Sequence, residues 1–293
     1  MASKPSLQRT NTSLARKIDK AFLPTAEDLR ATAQELRRDI INMIFTAGSG
    51  HPGGSLSEID ILTVLYLNVL RHNPKNPSWP DRDRFILSKG HACPGLYAIL
   101  ARCGYFAREE LWSFRKINSL LQGHAHTGTP GVEMNSGSLG QGLSFGVGCA
   151  LTARLDERNY QVYVLLGDGE CDEGQIWEAA MAASHYKLNN LTAILDRNRI
   201  QNDRYTSEVM ELEPLSRKWR AFGWRVLEID GHDLSAILRA TKLAQKSRGR
   251  PTIIIAHTIK GKGVSFMENN PDFHGRAPNE EEYNKAIREL GGT

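Results

Sequence analysis

The stretch Val162–Asn202, VYVLLGDGECDEGQIWEAAMAASHYKLNNLTAILDRNRIQN, decides the fold. It opens on an unbroken bulky run, Val162 to Leu166, which has no polar alternation and therefore reads as a strand buried on both faces. That strand runs into Gly167-Asp168-Gly169. A helical segment follows, then a second buried strand at Leu191–Leu195 that ends in Asp196-Arg197-Asn198. Asp168 and Asn198 thus stand just past the ends of two parallel strands. Open α/β sheets bind ligands at that edge. A carboxylate and an amide oxygen, with glycines that let backbone approach closely, suit a hard cation carrying a diphosphate. The same residues also fit an ordinary βαβ unit with a tight turn and a helix-capping Asp.

Outside this unit, Thr25–Ala47 reads as an amphipathic helix with Leu29, Leu36, Ile40, Met43, Ile44 and Ala47 on one face, a Thr25/Asp28 capping pair and a stop at Gly48. Ser49–Gly54 reads as a Gly-rich turn and Leu56–Leu70 as a second apolar helix. Arg84–Ser88 is a short strand, Pro94–Cys103 a helix, and Gln122–Gly140 a long loop of the kind that often carries function. Leu143–Leu155 is a helix of small residues. Val226–Ile229 and Thr252–His257 are further strands, with helices around Pro214–Phe222 and Leu234–Lys246. Lys260–Pro278 is loop-like, and Asn279–Leu290 is a polar helix. Alternating strand and helix give the α/β class with a mostly parallel sheet flanked by helices.

The 293 residues can bury a sizeable core; apolar content is 40% and charged content 24%, ordinary for a globular chain. A net charge of +4, with scattered Lys and Arg, gives no reason to expect nucleic acid. Cys93, Cys103, Cys149 and Cys171 lack metal or disulfide spacing and read as reduced thiols in a cytoplasmic protein. No apolar run reaches membrane-spanning length, so no membrane partner is expected. The N-terminal segment lacks the apolar core and cleavage signature of a secretion signal; residues 1–25 read as an N-terminal arm ahead of a domain spanning 26–293, a weak organellar transit peptide being the other reading.

Four histidines stand in Gly-rich turns: His51 in SGHPGG, His91 in SKGHAC, His124 in QGHAHTG and His274 in DFHGRAP. One such histidine is usually a structural hydrogen bonder; four at strand and helix ends point to a polar pocket. Their spacing is not that of a histidine metal site. Lys260-Gly261-Lys262-Gly263 reads as a backbone nest with cations, suited to phosphate, or as a solvated basic loop. A dinucleotide-binding dehydrogenase is disfavoured, since no GxGxxG follows the first strand.

Taken together, these segments resemble the N-terminal half of transketolase. SGHPGG, DRFILSKGHACPGLYAIL, QGH, NSGSLGQGLSFGVGCA, LLGDGECDEG, ILDRNRIQ, HTIKGKGVSFMENN and FHGRAP follow that family's order over about residues 26–290. The resemblance implies a thiamin diphosphate-binding fold. It implies Mg²⁺ or Ca²⁺ held by the Asp168 and Asn198 side chains and the Ile200 carbonyl. It implies cofactor contacts from Gly169 and the Gly137-Ser138-Leu139 turn, with His91, His274, Lys89 and Lys260 near the diphosphate. His51, His124 and His274 are the implied catalytic residues, lining the sugar channel. Glu170-Cys171-Asp172 after the GDG, Ser55 after SGHPGG, and QGHAHTG without a His-Pro pair depart from common family forms and bear on donor preference.

The glutamate that activates the cofactor in this family, and the arginines that hold the sugar phosphate, belong to a pyrimidine-binding half with no candidate here. The resemblance therefore implies one subunit of a split transketolase, moving a two-carbon ketol unit between sugar phosphates in an α₂β₂ heterotetramer with a second chain. Another thiamin diphosphate enzyme's subunit, such as a 2-oxo acid dehydrogenase alpha chain or a deoxyxylulose phosphate synthase fragment, and a non-catalytic homologue are the other readings.

Overall fold

The structure, a computed structural model, describes residues 24–202 and 204–292. Residues 1–23 of the expected arm lie outside the described residues. In chain order the elements are α1 (Ala26–Ala47), α2 (Pro52–Val64) continuing into a π-turn at Leu65–Val69, β1 (Arg84–Leu87), α3 (Cys93–Cys103), α4 (Gln141–Leu155), β2 (Val162–Gly167), α5 (Gly174–His185) and β3 (Leu191–Arg197). A small hairpin β4 (Ile200–Gln201) and β5 (Arg204–Tyr205) and a one-turn α6 (Thr206–Val209) follow. Then come α7 (Leu215–Ala221), β6 (Arg225–Asp230), α8 (Leu234–Gln245), β7 (Thr252–His257) and α9 (Glu280–Glu289).

Five strands pair in the order β1-β2-β3-β7-β6, every pair parallel. Tyr163, Leu165, Ile194 and Ile254 point into a core built with α1, α2, α3 and α8. Val162, Val164, Leu166, Ala193, Leu195, Ile253 and Ile255 point into a second core under α4, α5 and α7. Helices on both faces explain why these strands are apolar at successive positions instead of alternate ones.

The α1 helix begins as its sequence predicts. The Thr25 hydroxyl accepts from the Asp28 N–H, the Asp28 carboxylate accepts from the Thr25 N–H, and Gly48 ends the helix at φ +64°. The second helix differs from expectation. It starts at Pro52, inside the predicted Ser49–Gly54 turn, and its last turn is a π-turn. Proline suits the first helical position, which needs no N–H partner. Gly53 is required inside that turn: a Cβ there would sit 2.9 Å from the Phe273 carbonyl and 3.0 Å from the Lys260 stem. The β4–β5 hairpin and α6 are too short to carry a periodic signal in the sequence. Among the described residues no two cysteines are bonded to each other, and no helix is long and apolar enough to cross a membrane.

Candidate active site

The C-terminal ends of β1, β2, β3 and β7 rise to one edge of the sheet, and the segments that follow them converge with the first turn of α2 and the Gln122–Gly140 loop. They enclose a cleft of about 240 Å³. His51, Lys89, His91, His124, Gly137, Leu139, Asp168, Gly169, Asn198, Ile200, Lys260 and His274 line it. Of the residues singled out in the sequence, Ser138 is not among the lining groups; it is exposed on the same turn. Gly54, Glu170, Gln201 and Asn202 also line the cleft.

β3 runs two residues further than expected, to Arg197, which brings Asn198 directly onto the sheet edge. The Arg199 N–H donates to Asp168 Oδ2 at 2.5 Å, so the turn carrying Asn198 and Ile200 is fastened to Asp168. Arg199 stands at φ +68°, the left-handed conformation this tight turn demands. Asp168 Oδ1 accepts from the Gly169 N–H at 2.8 Å, and its Oδ2 also accepts from Arg197 Nη1 at 3.0 Å. Burial pushes the Asp168 carboxyl upward, with Arg197 pulling against it. The Asn198 amide is oriented by donating to Asp196 Oδ2 at 3.1 Å, which turns its oxygen toward the Ile200 N–H. Carboxylate, amide and carbonyl oxygens form a hard donor set suited to Mg²⁺ or Ca²⁺. One of these oxygens, that of Ile200, already accepts a cation: Lys260 Nζ lies 2.8 Å away. The donors fit a cation by chemistry and by this stand-in. Among the described residues there is no cluster of three His, Cys, Asp or Glu groups that could hold a metal without backbone and amide oxygens.

The two lysines differ. Lys89 Nζ donates to Asp196 Oδ2 at 2.5 Å and to the Gly54 carbonyl at 3.1 Å, and lies at ion-pair distance, 2.8 Å, from Glu58 Oε2. Its pKa is driven up: burial opposes the charge, and Asp196 and Glu58 overcome it. Asp196 is held below the usual carboxylate range by Lys89 against its own burial. Glu58, fully enclosed, is pushed up to about 8 by burial. One ammonium faces two carboxyls, so Asp196 keeps its charge and Glu58 takes the proton. Among the described residues Lys260 has no such carboxyl partners; burial lowers it to about 8.

The four loop histidines form one cluster. Ring centroids lie 5.1 Å apart for His51–His91, 5.3 Å for His51–His274, 5.2 Å for His91–His274 and 6.2 Å for His51–His124. Burial lowers His51 to about 4 and His274 to about 3, takes His91 well down and lowers His124. The imidazoles are therefore neutral near pH 7. Among the described residues His51 Nδ1 is buried with no hydrogen-bond partner, which leaves a polar atom for a ligand. His126, outside this cluster, binds the Leu120 carbonyl at 3.1 Å and accepts from the Gly128 N–H.

Several site residues carry no sequence signal. Glu58 looks like one polar position in an apolar helix. Arg197 looks like a strand-end charge, yet it is buried and bridges Asp168, Thr206 and Glu213. Glu170, a departure expected to bear on the donor sugar, ties loops together: it accepts from Ser88 Oγ and from the Gly140 and Gly167 N–H groups. Ser55 is likewise buried, donating to the His51 carbonyl at 2.8 Å.

A parallel α/β sheet with a polar cleft at the C-terminal ends of its strands is the arrangement in which open α/β proteins bind ligands. Residues 29–293 match the family described as transketolase, thiamine diphosphate binding domain. The chain is 44% identical to one of the subunits of the apulose-4-phosphate transketolase of Phocaeicola vulgatus, over 90% of this chain and 94% of that one. It is 46% identical to the 6-deoxy-6-sulfo-D-fructose transketolase subunit SqwG of a Clostridium species, over 90% and 96%. The transketolase structure of Campylobacter jejuni superposes with a TM-score of 0.86 at 37% identity, covering 90% of this chain and 43% of that one. The chain belongs to the transketolase family, in its thiamin diphosphate-binding N-terminal half. It spans nearly all of the subunit relatives and under half of the single-chain structure.

Proposed function

We propose that this chain is the diphosphate-binding subunit of a two-chain transketolase that moves a two-carbon ketol unit from a ketose phosphate, or a similar sugar with an anionic end, to an aldose. The observation that carries the reading is the convergence of four neutral imidazoles and an oxygen donor set on one cleft. The names of the relatives, which are those of subunits, support a separate partner, and their substrates support an anionic sugar. The partner supplies the pyrimidine-binding half, in an α₂β₂ heterotetramer in the cytoplasm, with residues 26–293 as one domain.

In this reading Asp168, Asn198 and the Ile200 carbonyl hold Mg²⁺ or Ca²⁺. Gly169 and the Gly137–Leu139 turn approach the cofactor, while His91, Lys260 and the N-terminal turn of α2 face its diphosphate. Thiamin diphosphate, when bound, supplies the carbon nucleophile and electron sink. His51, His124 and His274 hydrogen-bond the sugar hydroxyls. His51 or His274 takes the proton from the donor C3 hydroxyl as the C2–C3 bond breaks, and returns it when the acceptor aldose is joined. Their low basicity keeps them uncharged until that step.

The test is thiamin diphosphate titration and ketol transfer with the partner chain added. The intact pair binds cofactor and transfers the unit; Asp168→Ala lowers cofactor affinity at least about 100-fold, since a metal ligand is lost. Unchanged affinity in Asp168→Ala, or full activity of the purified chain alone, refutes the assignment.

A further inference from the structure

Lys260 stands in a place that its own surroundings do not justify. It is 2% exposed. Among the described residues no carboxylate lies within ion-pair distance of it; Asp168 and Asp196 act on it only from further off. Its stem lies over the first turn of α2, where an added Cβ on Gly53 would come within 3.2 Å of its Cε. A helix N-terminus is the positive end of the helix dipole and repels a cation. Two neutral acceptors hold the ammonium: the Ile200 carbonyl at 2.8 Å and His274 Nδ1 at 2.9 Å. The Gly261 N–H, donating to the Gly53 carbonyl at 3.0 Å, fastens the segment from which the side chain reaches. A buried cation so poorly compensated is stable where it is only until a better anion arrives.

We propose that Lys260 is an internal counter-cation of the divalent-ion site. Its ammonium holds the Ile200 carbonyl in the metal-free chain, and it moves onto the incoming diphosphate when the metal takes that oxygen. This regulation rests on the reading that Asp168, Asn198 and Ile200 are the metal's donors. Its consequence is obligate joint loading. A metal ion alone must displace an ammonium that has no anion to go to. A diphosphate draws the ammonium off and frees the carbonyl. Each ligand therefore raises the affinity for the other by the same factor. The chain would resist loading with metal or diphosphate singly.

The opposed signs of two effects make the idea testable. Mn²⁺ binding to the full-length chain is followed by electron paramagnetic resonance, with and without inorganic pyrophosphate. The unaltered chain binds Mn²⁺ weakly alone and more tightly with pyrophosphate. Lys260→Met keeps the stem and removes the charge. It binds Mn²⁺ alone roughly five- to tenfold more tightly, binds pyrophosphate more weakly, and loses the part of the coupling that Lys260 supplies. Lys260→Gln, checked for folding by circular dichroism, gives the same pattern where the methionine variant does not fold. A collapsed pocket would weaken both ligands and cannot produce the gain in metal affinity. If Mn²⁺ alone binds these variants no more tightly than the unaltered chain, while Asp168→Ala abolishes binding, the counter-cation role is wrong and the metal site stands. If the unaltered chain, with the partner chain added, binds no Mn²⁺ even with pyrophosphate or thiamin diphosphate, both fall.

Discussion

Lys89 and Lys260 occupy neighbouring regions of one cleft and are equally buried, at 2% exposure each. The floor around Lys89 is electrostatically closed: two carboxyl groups lie within 2.8 Å of the ammonium, with a backbone carbonyl beside them at 3.1 Å. The rim around Lys260 is open in that sense, with a carbonyl and an imidazole where carboxylates could have stood. Burial alone therefore says nothing about whether a lysine is a structural or a binding group. The charge balance of its partners does.

The largest expected effect breaks the floor. Lys89→Met leaves Asp196 and Glu58 buried without a cation, which costs about 3–5 kcal/mol, read as a drop in urea midpoint. Lys260→Met strands no carboxylate and costs far less stability, while shifting the balance between metal and diphosphate binding. Equal destabilisation by the two substitutions would erase the distinction between floor and rim.

A smaller effect sharpens it. Glu58 is pushed up to about 8 from its ordinary value of 4.5, so the folded chain holds a proton there that the unfolded chain releases. Stability from this group is complete below pH 4.5 and is lost as pH rises toward 8. Glu58→Gln keeps a neutral group in place, changes stability at about pH 6 by under about 1 kcal/mol, and flattens the fall of melting temperature between about pH 6 and 8. An unchanged slope would mean that Glu58 is ionised beside Lys89.

The smallest effect belongs to the rim. His51 and His274 lie below their usual 6.5, at about 4 and about 3, because burial opposes their charge. The unfolded chain takes up protons first. Stability from these groups is complete above pH 6.5 and falls as pH drops through 4 toward 3. His51→Gln should reduce the acid sensitivity of the melting temperature between pH 6.5 and 4 by part of the total, leaving the His274 share. No change in acid sensitivity would place the His51 titration elsewhere.

Much of this is legible in the chain before it folds. The double-faced strands announce a parallel sheet because parallel strands have no wet side, and Gly167-Asp168-Gly169 and Asn198 fall at strand ends that a sheet must bring together. The loop histidines declare a pocket because polar rings in Gly-rich turns serve no packing periodicity. The start of α2 is hidden because glycines usually break helices. Here Gly53 is kept for the close approach of Phe273 and Lys260, residues distant in the chain. Glu58 and Arg197 give no signal for a related reason: a charge in a mostly apolar element looks the same whether it faces water or a partner.

By itself the sequence determined the α/β class, the strand edge, the candidate ligand oxygens and the four histidines, since local pattern and spacing are enough to place them. Only the tertiary structure decided which charges are matched. Lys89 meets Asp196, and Lys260 meets Ile200, across 107 and 60 residues of chain. Electrostatic energy depends on distance in space, and local pattern carries no record of it.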